Sequence, residues 1–341
     1  MQAARFSVPV CLSIPKELPA AGSLGSHEEG NIQKNMIING VVNVKKEKGM
    51  TSFGVVARLR RIFGQKKIGH TGTLDPDAEG VLPVCFGRAT HLVETLSRGT
   101  KEYEAVILLG RTTDTQDVSG TVLREADPTV SEEEIRQAIL SFKGKQTQLP
   151  PMYSAVKVNG QKLVDLARKG IEIDRPTREV EFSEIEILWV DIPRAAFRVT
   201  CTHGTYIRTL CNDIGEKLGC GACMEALLRT RVGEFHLDTA MTIDEIAARK
   251  EAEGDIREYS FVRPIDAFYA KLPKVTVFGE VLTQVLNGNG FSVEESDGAS
   301  ELSKGQEARV YTSDGDFIGI FQRKAAGMRL VKYFYEAPGS Q

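Results

Sequence analysis

Several things are scarce in this 341-residue chain. No uninterrupted apolar run approaches the ~18 residues that a bilayer-crossing helix needs, so no membrane segment is expected. Charge of one sign is scarce as well: 43 Lys and Arg stand against 46 Asp and Glu, a net of −3. Taken over the whole chain, that balance argues against a nucleic-acid binder, because phosphate contacts need Lys and Arg. Six cysteines (Cys11, Cys85, Cys201, Cys211, Cys220, Cys223) are scattered without a convincing secretory signal. They suit reduced cytosolic thiols, and no disulfide is expected. Cys220 and Cys223 form one CxxC pair without the second pair or nearby His that zinc would need, so they read as buried helix or loop thiols. A Walker loop and an HExxH motif are both missing, and no repeat is visible.

What is present is ordinary soluble composition, 41% hydrophobic and 26% charged, in a chain long enough for one large domain and a small one. The charge is segregated. From Lys45 to Lys67 eight basic residues face one acid, a local net of +7, and from Lys143 to Lys169 six face one, a net of +5. Acids collect elsewhere, as in Ser131 to Glu134 and Glu294 to Asp297. One basic run could be a solvated helix face; two flanking one loop favour an anionic substrate.

The pattern predicts α+β: a mixed, mainly antiparallel sheet with flanking helices, followed by a small β-rich module. Residues 1–35 hold Pro9, Pro15 and Pro19 without periodicity and read as a disordered extension or a false start ahead of Met36. Val41, Val42 and Val44 begin a strand, and Val55, Val56, Leu59 and Ile62 give Ser52 to Phe63 helical spacing. Strands are expected at Glu102 to Leu109, Gly120 to Arg124, Val180 to Val190 and Ala196 to Cys201. Ser131 with Glu134, and Thr242 with Glu245, are capping-box pairs ahead of helices at Ile135 to Phe142 and Ile243 to Ala252. Ile207, Leu210, Ile214 and Leu218 give Gly204 to Leu218 helix-like spacing as well. Between the strands, QTQLPPMYSAVKVNGQKLVDLARKG is a long irregular stretch with a short basic helix at Lys162 to Arg168, and long loops of this kind tend to be functional. A linker around Pro264 to Pro273 leads to short strands at Val275 to Phe278, Glu307 to Tyr311, Phe317 to Arg323 and Met328 to Phe334, so the boundary falls near residues 270 and 271.

The stretch carrying most chemical information is GHTGTLDPDAEGVLPVC, Gly69 to Cys85. Asp75, between Leu74 and Pro76 in a loop of turn residues, is held extended by the following proline and is presented rather than packed. A lone Leu-Asp-Pro step would be an ordinary surface turn. A working carboxylate needs a guanidinium partner that keeps it ionised and oriented, and Arg208 in GTYIRTL is the candidate. Tyr206 and Arg208, two residues apart, would diverge on a helix, but at a strand-to-helix junction both can face a pocket. Tyr103 in KEYEA opens a strand and could stack on a base; a core tyrosine is its plainer reading.

These motifs together resemble the pseudouridine synthases of the TruB type, over about residues 36–270. The resemblance implies an isomerase acting on uridine 55 in the TΨC arm of tRNA, with Asp75 catalytic, Arg208 paired to it, Tyr206 lining the uracil pocket, and Tyr103 stacking on the base and serving the late proton transfer from C5. It places His70 of the GHTG string near the flipped nucleotide as a binding residue. Lys46 and Leu227 match two further motifs, KPxGxTS and LRRTxxG, and Asp114 in TTDTQD a position used in active-site organisation, although an Asx turn explains it equally. Residues 148–170 resemble the family's thumb, in which Lys157, Lys162, Arg168 and Lys169 would touch phosphates. Residues 271–341 resemble a PUA-like RNA-binding domain. The implied partner is tRNA, with no cofactor, no obligate protein partner, a monomeric enzyme and a cytoplasmic location. The sequence departs from the family pattern at Glu47, Val164 and Leu228, which bear on substrate affinity more than on chemistry. Rival readings are an RNA-folding module without essential chemistry, a guide-dependent pseudouridylase, and a glycoside hydrolase that would pair Asp75 with Asp77 or Glu79.

Overall fold

In this computed structural model the described residues are 37–256 and 258–336. The reading of residues 1–35 as an extension lies outside them. A ten-stranded sheet organises the larger part of the molecule. Its main path runs Val262–Pro264, Gly40–Lys46, Glu79–Phe86, Ala222–Val232, Lys101–Leu109, Arg194–Cys201, Arg178–Asp191, Gly144–Gln148, with Ile68–His70 and Phe235–His236 as side branches. Every pair is antiparallel except Glu79–Phe86 with Ala222–Val232, which run parallel through Leu228↔Glu79 and Arg229↔Gly80 only. The chain leaves the Asp75 loop at this short parallel seam.

Most elements lie where local pattern put them. The helix Ser52–Phe63 is capped by the Thr51 side chain, which accepts from Gly54 N–H, and turns Val55, Val56, Leu59 and Phe63 inward. Both capping boxes are formed, starting Glu132–Leu140 and Ile243–Glu253. Ile207–Leu218 begins one residue after Tyr206, whose backbone is still extended. No helix among the described residues is long and apolar enough to cross a membrane.

Three expectations need correction. The Gly69 to Cys85 stretch is a loop only in its first half, because Glu79–Phe86 is a central strand with seven consecutive buried residues. Pro83 argues against a central strand on paper. It is accommodated where its short neighbour ends: Ile68–His70 pairs only as far as Val84, and Pro83 contributes its carbonyl to Thr71 N–H at 3.1 Å. Cys223 lies on a strand, Ala222–Val232, not in a helix or loop, and burial pushes its thiol up to about 11. The stretch around Pro264 is no free linker, since Val262–Pro264 adds an edge strand to Gly40–Lys46.

Beyond Tyr269 a second sheet of five strands is built from Lys274–Val277, Ser296–Asp297, Glu307–Thr312, Phe317–Lys324 and Gly327–Tyr333. It has its own core around Val275, Val310 and Phe321. Ile320 and Phe334 join Val41, Val81, Cys85 and Ile265 in a separate cluster that ties the second sheet to the first.

Candidate active site

A cavity of about 460 Å³ opens at the parallel seam, lined among others by Asp75, Tyr103, Tyr206, Arg208 and Leu227. Residues far apart in sequence thus meet at one place. Asp75 faces Arg208 side-on: Nε lies 3.0 Å from Oδ2 and Nη2 lies 3.4 Å from Oδ1. The Arg208 side chain is 7% exposed, while that of Asp75 keeps 39% of its surface open, so the guanidinium is the wall and the carboxylate the presented group. Tyr206, the residue before the helix, and Arg208, in its first turn, both line the cavity, because the strand-like backbone at Tyr206 removes the divergence that a helix would impose.

Arg208 spends its remaining donors on fixed oxygens. Nη1 donates to Thr115 O at 2.9 Å and reaches Asp117 Oδ2 at 3.4 Å; Nη2 also donates to Tyr153 O at 2.9 Å. Asp117 is a participant that the sequence pattern did not reveal. The pattern pointed to Asp114 in the same loop, and nothing in TTDTQD separates the two aspartates. Between them Gln116 takes φ +65, a conformation few non-glycine residues adopt, and this bend brings Thr115 O and Asp117 to the guanidinium. Asp114 lies outside the lining; it accepts from Thr121 N–H and from the Tyr153 hydroxyl.

The floor of the site is held by two buried cations. Lys46 is fully buried, and its ammonium donates to the carbonyls of Glu47, Pro76 and Ala78. With all three protons placed, it holds the backbone around Asp75 from below and is not part of the cavity lining. Arg229, 1% exposed, holds the other flank through the carbonyls of Gly72, Thr73 and Val81. Arg229 and Lys101 line the cavity and were not singled out from sequence; the available signal for Arg229 was its place in the LRRTxxG match beside Leu227. Gly80 lets the loop pass against Arg229: it has φ +108, and a Cβ there would stand 2.1 Å from Arg229 O.

Charge in the site follows from this packing. Burial raises the Asp75 carboxyl above its ordinary range, Arg208 and Lys46 pull it back, and Asp117 and Asp77 push it further up. Burial also lowers Lys46 and Lys101 to about 8. Tyr103 is raised by burial, with Arg229 opposing, so the phenol is protonated at neutral pH. His70 ends the Ile68–His70 strand next to the lining; burial and Arg229 lower its pKa, which leaves it neutral, and its Nδ1 has no partner among the described residues. Of the thumb-like residues, Tyr153, Ser154, Ala155 and Val164 line the cavity, whereas Lys157, Lys162, Arg168 and Lys169 are exposed.

The fold is similar to that of a solved chain of an H/ACA RNP bound to a substrate RNA containing 2′-deoxyuridine. The match has a TM-score of 0.59 at 26% identity and covers 91% of this chain and 93% of that one. Residues 60–207 match the N-terminal domain of the TruB family pseudouridylate synthases, and residues 208–269 match the tRNA pseudouridylate synthase B C-terminal domain. A tRNA pseudouridine synthase B of Alkaliphilus oremlandii is 45% identical over 83% of this chain and 92% of its own length. That of Bacillus subtilis is 41% identical over 87% and 96%. The chain belongs to the TruB family of pseudouridylate synthases.

Proposed function

We propose that this enzyme converts uridine 55 in the TΨC arm of tRNA to pseudouridine, and that the Asp75–Arg208 pair opening into the cavity carries the reaction. Substrate and product have the same atoms, so the isomerisation needs no group donor and no redox partner. The N1–C1′ bond must break, the uracil must turn while held, and C5 must join C1′ with loss of its proton. Asp75 opens the sequence, whether it attacks C1′, attacks C6 or removes the C2′ proton; each of these steps requires the ionised carboxylate that Arg208 aligns. Tyr206 and Leu227 flank the freed uracil, and the Tyr103 ring stacks on it with its phenol near the departing C5 proton. A stacked nucleotide hides C1′, so the uridine is flipped outward, and phosphate contacts from Lys157, Lys162, Arg168 and Lys169 offset the unstacking cost. The five-stranded C-terminal sheet serves as a PUA-like second RNA contact.

The enzyme acts in this reading as a monomer in the cytoplasm, on tRNA alone. The 41–45% identity to tRNA enzymes, against 26% to the H/ACA chain, favours tRNA over a guided substrate. The test is tritium release from C5-labelled naked tRNA transcript. Wild type should turn over without guide or partner. Asp75→Asn should fall to background, a loss of at least ~10³-fold for a group that enters the covalent step, with tRNA binding retained. Because burial raises the Asp75 pKa, the ionised form costs stability above that pKa, so the neutral Asn should not lower the melting temperature. Turnover surviving in Asp75→Asn would refute the assignment.

A further inference from the structure

Residues 149–177 leave the main sheet after Gln148 and return at Arg178, two residues that pair directly with each other. The excursion is self-contained. Its apolar residues pack among themselves, with Met152, Leu163 and Leu166 at the centre and Tyr153, Val156, Val158, Ala167 and Ile173 around them. Its backbone bonds close internally, as in Leu163 N–H to Val156 O and Val164 N–H to Ser154 O. Among the described residues, the hydrogen bonds that join this segment to the rest of the protein both pass through Tyr153. Its carbonyl accepts from Arg208 Nη2 at 2.9 Å, and its hydroxyl donates to Asp114 Oδ2 at 3.3 Å. One of these two attachments is therefore the guanidinium that aligns Asp75, and the same nitrogen, Nη2, serves Tyr153 and Asp75 Oδ1. The next residue, Ser154, is buried with its hydroxyl unpartnered and adds no third attachment.

We propose that Tyr153 is a positioning residue that couples the seating of this basic segment on RNA to the alignment of Arg208 with Asp75. The inference rests on the tRNA isomerase reading and extends it. The phenol pins residue 153 to the Asp114 loop, the carbonyl then completes the donor set of Arg208, and the guanidinium has one orientation in which all its protons are used. When the segment is displaced, Nη2 loses an oxygen and the side-on contact with Asp75 loosens. RNA gripping Lys157 and Lys162 would thereby be felt at the carboxylate without either lysine approaching the base.

The joint is tested with Tyr153→Phe, which removes only the hydroxyl, under single-turnover conditions on tRNA transcript. The rate at saturating enzyme should fall about 3- to 10-fold, the factor that one hydrogen bond is worth. The RNA dissociation constant should stay within about 2-fold, since no phosphate contact is removed. The acid limb of the rate profile should also move to higher pH. The groups facing Asp75 are Arg208 on its helix, Asp117 on the 113–121 loop, Lys46 on the first strand, Tyr103 on the strand Lys101–Leu109, and Asp77 on its own loop. Of these, only Arg208 loses its alignment, and a weaker cation raises a carboxyl pKa. Asp114→Ala cuts the same joint and also frees Thr121 N–H on the Asp117 loop, so it should be at least as slow as Tyr153→Phe, and the double variant should be no slower than Asp114→Ala alone. An unchanged rate, a change in affinity alone, or a slower rate with an unmoved limb would each overturn the proposal. Wild-type enzyme inactive on the transcript would instead remove the reading on which it rests.

Discussion

The floor and the roof of the active-site cavity are built on opposite principles. Below Asp75 two fully buried cations, Lys46 and Arg229, place their donors on backbone carbonyls of residues 72–81 and of Glu47. Neither forms a close ion pair among the described residues, although Asp75, Asp77 and Glu79 lie near enough to favour the Lys46 charge; their hydrogen bonds are made, which is the condition for burying a charge at tolerable cost. Above Asp75 the segment 149–177 has a core of three buried side chains and, among the described residues, is hydrogen-bonded to the rest of the protein through one tyrosine. In the proposed reaction, a carboxylate that meets a reacting sugar would need the first kind of support, and a segment that admits a folded RNA and closes on it would need the second.

The floor is the place to break this contrast most severely. Gly80→Ala forces a side chain into backbone at φ +108, with its Cβ 2.1 Å from Arg229 O. The two strands of the parallel seam must separate, and the expected loss is about 3 kcal/mol or more of unfolding free energy, read from denaturant titration. Activity should fall together with stability, since the same displacement moves Asp75. A fully stable and active Gly80→Ala enzyme would mean that the floor is softer than its packing implies.

How far this division was legible in the sequence follows from the same physics. Short-range signals were readable: the caps at Ser131 and Thr242, the spacing in Ser52 to Phe63, and the extended Asp-Pro and Gly-Thr-Tyr steps that present Asp75 and Tyr206. Long-range consequences were not. Glu79–Phe86 was hidden by Pro83, which a central strand tolerates only because its short neighbour stops at Val84. The choice of Asp117 over Asp114 as the partner of Arg208 depends on one backbone bend at Gln116, itself tied to Met224 N–H and Thr209 Oγ1. Lys46 carried a motif but not a direction, and burial turned it inward. The roof was visible as a basic loop with its own short helix, while its single joint to Arg208 could be seen only in three dimensions.

Leu163→Ala sharpens the contrast from the roof. The side chain is fully buried, so truncation should cost about 2–5 kcal/mol of local packing. The small cluster it centres is composed only of residues from this segment, so that loss should appear as local opening. Hydrogen exchange should lose protection at amides such as Leu163 and Val164, while the global unfolding midpoint stays close to wild type. If the global midpoint falls by the full amount, roof and floor belong to one cooperative unit and the division fails.

The smallest effects are expected on the outer face of the roof. Lys157, Lys162 and Arg168 are exposed and have no ion-pair partner among the described residues, which leaves their charge available to phosphate. Each Ala substitution should flatten the dependence of log Kd for tRNA on log salt by about one, as expected when one phosphate is no longer neutralised by the protein. At saturating RNA the single-turnover rate should remain within about 2-fold, because counterion release strengthens ground-state and transition-state binding alike. These variants would thus separate gripping from alignment: on the proposed reading a charge on the roof sets how much RNA is bound, whereas the joint below it sets how well Asp75 is aimed. A lysine whose removal slowed the saturated rate without altering the salt slope would place that residue at the chemistry, and the outer face would no longer be only a grip.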